Sequence, residues 1–304
     1  MLDPKKLLYF ATIVEQGSLK KAATLHGLTQ PALSHSIARL EDDVGRQLLE
    51  RSATGVRPTA LGSRIYAHAR QIRDELRQLE RHLRNEQRPE PAPIRFGSLP
   101  SLSAFVIPTA LARWRSSYPD QPLEVVQKVQ IELLESLLAG ELDFTIGVTD
   151  LYDLLDGLRQ RVLFRERLFA IARADHPLFQ GPAPTWQTLR LCRWVIPPAG
   201  GHKTILDIIL EAEGLAPPPS TTVSASLSML KSLVTAGNDL ALLPLHAVRD
   251  ELADGRMASL PVSSPHLLRN IALFLREGHQ LRDDEAEFVE CTRAVGLELA
   301  RAAF

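Results

Sequence analysis

The sequence predicts a two-part chain of class α + α/β, and three observations carry that reading. Residues 1–84 read as almost continuous helix. The tract "RPEPAP" at 88–93 is a proline-rich break. Beyond it, short β-rich runs alternate with amphipathic helical segments, the pattern of α/β units with a largely parallel sheet.

Bulk properties bound the possibilities. The chain has 304 residues, 45% hydrophobic and 23% charged, an ordinary globular composition long enough for two or more domains. No run of 18 apolar residues occurs, so no membrane span is expected. The start, "MLDPKKLLYFATIVEQG", lacks a long apolar stretch and a small-residue cleavage site, which predicts a cytoplasmic protein. Cys192 and Cys291 are the only cysteines. Their spacing predicts buried thiols rather than a disulfide, a redox pair or a metal site. The net charge of -1 conceals an asymmetry: residues 1–88 hold 15 Lys+Arg against 10 Asp+Glu, and residues 89–304 hold 20 against 26. A basic first part beside an acidic remainder points to a polyanion partner for the first part alone.

The segment "GSLKKAATLHG", 17 to 27, predicts a short helix capped by Ser18, with Ala22, Ala23 and Leu25 as small packing residues. A turn at Gly27-Leu28 leads to "TQPALSHSIARLEDDVG", 29 to 45. There Thr29 is an N-cap, Pro31 is tolerated in the first turn, and Gly45 ends the helix. Leu33, Ile37, Leu40 and Val44, spaced 4, 3, 4, form one buried stripe. Pro31, Ser34, His35, Ala38 and Asp42 occupy the opposite side, with Arg39 on its flank. Small polar side chains at a helix N-terminus suit base-edge contacts in a major groove, and the helix dipole favours nearby phosphate. The same face could be plain solvated surface. Two short helices joined through glycine form a helix-turn-helix arrangement with the second helix as reader. "RQLLERSATGVRPT" then reads as a hairpin-like wing, with Arg46, Arg51 and Arg57 suited to phosphate. The DNA-contact candidates are Lys20, Gln30, Pro31, Ser34, His35, Arg39, Arg51 and Arg57.

From Thr59 a long helix runs to about residue 87. Leu61, Ile65, His68, Ile72, Leu76, Leu79 and Leu83 are spaced close to a coiled-coil seam. The apolar members, Leu61, Ile65, Ile72, Leu76, Leu79 and Leu83, are the dimerisation candidates, against packing of the helix on its own domain. After the hinge at 88–92, strands are expected at "IRFGS", "PLEVVQKV", "DFTIGV", "LFAIAR", "RWVIP", "LALLP" and "NIALFL".

This order resembles the LysR-type transcriptional regulators. The matching residues are Ala22-Ala23, Thr29-Gln30-Pro31-Ala32-Leu33-Ser34, Ile37 to Glu41, Gly45, and Leu48-Leu49-Glu50-Arg51, followed by "GVRPTALG". Further on, "LLAGELDFTIG", "ADHPLF" and "SLVTAGNDLALLP" extend the resemblance over essentially the whole chain. "GSLPSLSAFVIPTAL" and "IPPAGG" are most similar to the branch of protocatechuate-catabolism and galactose-binding-protein regulators. Two departures stand out. His35 occupies a position commonly arginine in the family, and Leu49 replaces a phenylalanine.

The resemblance implies a winged helix-turn-helix domain at 1–58, a linker helix at 59–87 and an effector-binding domain at 93–304 of the periplasmic-binding-protein fold. In the last, one lobe spans about 93–162 and 267–304, and the other about 163–266. It implies binding to double-stranded operator DNA, RNA polymerase as a further partner, a homodimer or homotetramer, and a small-molecule effector between the lobes. No cofactor or metal is expected. Residues at the strand-to-helix turns are the effector candidates: Ser98, Ser101, Ser103, Gln130, Gly147, Val148, Pro198, Ala199, Ser224 and Ser226. Each serine could instead be a helix cap. Few basic residues lie in these stretches, which points to an anionic or polar metabolite held by N–H and O–H donors.

Enzyme readings find little support. "PPAGGHKT" ends like a phosphate-binding loop, but His202 stands where glycine is required. GxGxxG, GxSxG and HExxH are absent. An α/β enzyme or ligand-binding protein with a helical interaction module remains the alternative, and an adaptor acting through the 59–84 helix is a third.

Overall fold

The computed structural model describes residues 2–52, 55–86, 93–149 and 155–302; side chains of residues 51, 52 and 302, and of most residues from 71 to 86, fall outside the description. Contacts divide the chain into two units, Met1–Glu90 and Pro91–Phe304.

In the first unit, α1 (Pro4–Gln16) starts at Asp3, whose carboxylate accepts the Lys5 N–H, and stops at Gly17 in the left-handed region. Helix α2 (Leu19–Leu25) is capped by Ser18. Helix α3 (Gln30–Val44) is capped by Thr29, whose hydroxyl accepts the Ala32 N–H, and ends at Gly45 with φ 75°. Strands β1 (Leu49–Ser52) and β2 (Gly55–Pro58) pair antiparallel as a wing, and α4 (Ala60–Glu86) follows. Leu33, Ile37 and Leu40 of α3 join Phe10, Ile13, Ala22 and Leu48 in a core from which water is excluded. Each of the Leu, Ile and Phe side chains contributes about 1.5–3 kcal/mol by burial. Glu41 holds the exit from α3: its Oε1 accepts the N–H groups of Leu48 and Leu49 at 2.7 and 3.1 Å.

The second unit contains β3 (Ile94–Ser98), α5 (Pro100–Ser103), α6 (Val106–Trp114), β4 (Leu123–Gln127), α7 (Gln130–Leu138), β5 (Phe144–Val148), β6 (Leu158–Arg173), α8 (Trp186–Leu189), β7 (Arg193–Ile196), α9 (Ile205–Ala212), β8 (Thr221–Val223), α10 (Leu227–Ala236), β9 (Asp239–Pro244), α11 (Arg249–Ala253), β10 (Met257–Leu260), β11 (Leu268–Arg276) and α12 (Asp283–Ala302). Strand order is β4-β3-β5-β11-β6-β9-β7-β8, with β10 also on β6. The ladders β4-β3-β5 and β8-β7-β9 are parallel. The largely parallel sheet expected from the sequence is in fact mixed, because β6 and β11 run antiparallel to their neighbours.

The reason lies in β6. Its first part, Leu158 to Arg167, pairs with β11, and its second, Leu168 to Arg173, pairs with β9 and β10. It therefore passes from one lobe into the other, and β11 returns beside it. The apolar clusters follow suit. Phe96, Trp114, Phe144, Ile271 and Phe288 fill the first lobe, while Trp186, Trp194, Ile209 and Leu240 pack in the second. A second layer of Ile171, Val195, Val234 and Leu243 covers the other face of the second lobe's strands.

Cys192 and Cys291 are half-buried free thiols, one packed against each lobe's core. Among the described residues, no helix is long and apolar enough to cross a membrane, and no cluster of His, Cys, Asp or Glu is arranged to hold a metal ion.

Candidate functional site

The first unit presents the α3 face that its sequence pattern predicts. With Leu33, Ile37 and Leu40 turned into the core, Gln30, Pro31, His35, Ala38 and Arg39 are exposed and Ser34 is half-buried. Lys20 is exposed on α2, as are Arg46 before the wing and Arg57 on β2. Arg51 lies on β1, opposite Val56, and its side chain falls outside the described residues. The α3 first turn contains no acid, so nothing there opposes an anion at its positive dipole end.

Two ion pairs brace this frame. Lys6 of α1 meets Asp43 at the end of α3 at 2.7 Å. Glu15 of α1 accepts two hydrogen bonds from Arg73 of α4, at 2.9 and 2.8 Å, and one from Tyr66 at 3.2 Å. Burial raises the Glu15 pKa, but the Arg73 hydrogen bond and charge outweigh it and hold the carboxyl below its ordinary range. The α4 seam divides accordingly. Leu61, Ile65 and Ile72 pack against the core of their own unit, whereas Leu76 and Leu79 are 40% and 53% exposed. Leu83 falls outside the described side chains.

In the second unit, a cavity of about 110 Å³ lies between the two lobes. Of the residues expected there, Ser101, Gln130, Val148, Pro198 and Ser224 line it. The rest have other roles or positions. Ser98 is fully buried, its hydroxyl donating to the Leu99 carbonyl. Ser226 caps α10, accepting the Met229 N–H. Ala199 is not on the cavity wall, and neither is Ser103, whose hydroxyl is buried without a hydrogen-bond partner among the described residues. Gly147 acts indirectly: a Cβ there would overlap the Gln130 carboxamide. With that space free, Gln130 Oε1 accepts the Val148 N–H at 3.0 Å across the end of β5. Gln130 is 3% exposed, and its Nε2 amino group has no partner among the described residues. The helix-cap alternative thus holds for Ser226 but not for Ser101 or Ser103, because the N-cap position of α5 is Leu99, with no side-chain cap.

The sequence pattern missed the charged floor of this cleft. Arg269, the second residue of β11, lines the cavity and donates from Nη2 to the Ser101 hydroxyl at 3.3 Å. Its Nε donates to Glu166 Oε1 at 2.6 Å, and its Nη2 meets the same oxygen. The other Glu166 oxygen lies 2.8 Å from His246 Nε2. Burial pushes the Glu166 pKa up, but the Arg269 guanidinium and the His246 hydrogen bond hold it below its ordinary range. A larger cavity, about 370 Å³, opens on the His246 side, walled by Phe105, Phe164, Phe169, Leu252 and Leu299. The three residues come from positions 166, 246 and 269. No local spacing links them: the β6–β11 ladder sets Glu166 opposite Arg269, and His246 follows β9, which pairs with β6.

Comparison with known proteins agrees with this architecture. Residues 4–63 match the family described as bacterial regulatory helix-turn-helix protein, lysR family, and residues 87–296 match the LysR substrate binding domain. The HTH-type transcriptional regulator GalR of Pseudomonas putida is 29% identical over 302 residues, covering 99% of this chain and 76% of that protein. A "Probable hydrogen peroxide-inducible genes activator" of Streptomyces viridosporus is 31% identical over 276 residues, covering 90% and 88%. The structure of full-length CbnR complexed with target DNA superposes with a TM-score of 0.53 at 20% identity, covering 97% of this chain and 99% of that one. These relatives are regulators, which removes the enzyme and adaptor alternatives. The chain belongs to the LysR family: it is a transcriptional regulator with an N-terminal helix-turn-helix DNA-binding domain and a C-terminal substrate-binding domain.

Proposed function

We propose that this regulator reads operator DNA with the exposed face of α3 and is controlled by a small anionic or polar metabolite held between its two C-terminal lobes. Gln30, Pro31, Ser34, His35 and Arg39 are the groove-facing residues, and Lys20, Arg51 and Arg57 meet phosphate. The observation that carries this is the polarity of α3. Its apolar stripe is consumed by the core, and its acid-free N-terminal turn is left open beside exposed Gln30 and His35. CbnR, of the same fold, is described in complex with its target DNA.

Two copies pair through the distal half of α4, where Leu76 and Leu79 project from the unit's own core. Leu83 follows four positions later in the sequence, at the same seam spacing. A dimer, or a tetramer of two dimers, sets recognition helices on half-sites about one helical turn or a multiple apart, near 10 bp. The effector binds at Ser101, Gln130, Val148, Pro198 and Ser224, and it favours one arrangement of lobes and subunits over another. RNA polymerase is the partner that reads out the change. The site of action is the cytoplasm, where promoter DNA is accessible.

The test is a gel shift on the DNA flanking the protein's own gene, run at several salt concentrations. Retarded complexes that survive nonspecific competitor, with an affinity falling log-linearly in salt, are expected. Absence of any shift at low salt contradicts the reading.

A further inference from the structure

The polar atoms of the interlobe cleft define what it can hold. Four side chains contribute: Ser101, Gln130, Ser224 and Arg269. Ser224 is already engaged, its oxygen accepting from the Ser226 N–H and donating to the Met229 sulfur. Gln130 has spent its acceptor on Val148 and keeps two unpaired, buried N–H groups. Ser101 accepts from Arg269, so its own O–H is left to donate. Arg269 commits Nε and Nη2 to Glu166 and Ser101, and its Nη1 donors have no partner among the described residues. The side chains therefore offer donors at three points, with hardly an acceptor among them.

That imbalance selects among ligand classes. A sugar brings several hydroxyl donors of its own and needs acceptors in return. A carboxylate brings acceptors only, and Arg269 offers it a charge-assisted bond. Glu166 already shares the Arg269 charge, and no second basic side chain among the described residues lines the cleft, so a second anionic group would find no cation there. The remaining walls are apolar, with Leu99, Val129, Leu230 and Leu242 among them, and a second carboxylate would lie against hydrocarbon. Size narrows the class again. The cleft, about 110 Å³ and partly open to solvent, is smaller than the enclosed cavity of ~150 Å³ that holds a benzene molecule, which favours the small end of that class.

We propose that the effector is a short-chain monocarboxylate of about five or six non-hydrogen atoms, a 2-oxo or 2-hydroxy acid of two or three carbons. Its carboxylate meets Arg269 Nη1 and the Ser101 hydroxyl, and its 2-oxygen accepts from Gln130 Nε2. This rests on the cleft being the effector site.

The experiment is isothermal titration of the full chain with glyoxylate, pyruvate and L-lactate, alongside benzoate, succinate and glucose. It is run on wild type and on the variants Gln130→Glu and Arg269→Lys, each first checked for an unchanged cooperative melt. Gln130→Glu keeps the acceptor for Val148 and replaces the donor with a negative charge, so it tests the site without removing a structural bond. At least one of the three short acids is expected to bind. Its affinity should fall tenfold or more in both variants, Arg269→Lys losing the paired geometry of the guanidinium. Preference for benzoate, succinate or glucose, weakened by Gln130→Glu, overturns the ligand class while leaving the cleft as the site. Binding of a short acid that neither variant alters overturns the site itself. No heat from any of the three acids at millimolar concentration overturns the proposal.

Discussion

Glu166 of β6 and Arg269 of β11 form a buried ion pair where both strands cross between the lobes, Arg269 Nε lying 2.6 Å from Glu166 Oε1. The two side chains are 6% and 13% exposed. A pair so placed links the cleft, which Arg269 lines, to the larger cavity on the far side, which Glu166 and His246 line. It also ties together β6 and β11, the two strands that pass between the lobes.

Removing one partner leaves the other charged and unpaired in a poorly solvated place. Glu166→Leu is therefore expected to lower stability by about 3–5 kcal/mol. For a domain near 200 residues that is a drop in Tm of very roughly 10 °C. The double variant Glu166→Leu with Arg269→Met should recover most of the loss. A double-mutant cycle by thermal or urea melting measures the coupling, and additive losses would show that the pair is not coupled.

Gly147 separates a ligand-site defect from a folding defect. Gly147→Ala forces the end of the Gln130 side chain away from β5, which breaks its bond to the Val148 N–H. The expected cost is about 1–3 kcal/mol for one unsatisfied buried donor. Effector-induced thermal stabilisation should disappear while DNA affinity persists. Retained stabilisation would place the ligand elsewhere.

Stability should depend on pH through two groups beside the start of α12. Burial pushes Glu285 up to about 7, against the opposing backbone hydrogen bond and charge of Arg282. Burial pushes His279 down to about 4. Between roughly pH 4.5 and 7 the folded Glu285 holds a proton that the unfolded chain has released, so stability falls as pH rises. From about pH 4 to 6.5 the unfolded His279 holds a proton that the folded one lacks, so stability rises with pH. The two slopes oppose each other in wild type. Relative to wild type, Glu285→Gln should make the slope of stability against pH more positive between pH 4.5 and 6.5, and His279→Gln more negative. Urea midpoints across that range decide it; parallel profiles for all three proteins would show that neither group titrates as described.

On DNA, base-reading and phosphate contacts separate by their salt behaviour. Ser34→Ala is expected to cost about 1–3 kcal/mol on the cognate site only. Arg57→Ala should weaken all duplexes alike and flatten the log K against log salt slope by about one. Fluorescence anisotropy on specific and random duplexes separates the two. An unchanged slope for Arg57→Ala removes it from the phosphate contacts.

The legible parts of the molecule are those set by local chemistry. Thr29 and Gly45 bound α3 because caps act within one turn, and β3, β5 and β9 are short apolar runs between turns. The first half of β6, "LRQRVLFRER", was not legible: polar triplets flank a three-residue apolar run with no two-residue alternation, and the pairing with β11 is irregular between Ile271 and Ala272. In the cleft, Ser101, Gln130, Val148, Pro198 and Ser224 sit at strand-to-helix turns that the sequence marks. Arg269, Glu166 and His246 do not, because long-range strand pairing alone brings them together. The α4 spacing concealed a division of labour: one stripe serves the unit's own core as far as Ile72 and then continues, exposed, at Leu76 and Leu79.

Selection of bound sequences from a randomised duplex pool at physiological salt tests the central claim most directly. The full chain should enrich a two-fold symmetric motif with half-sites about 10 bp or a multiple apart. His35→Arg should change the preferred base at one position in each half-site. Recovery of unenriched sequence, or of one motif unaltered by substitutions at both Ser34 and His35, would contradict the assignment of α3 as the reading helix.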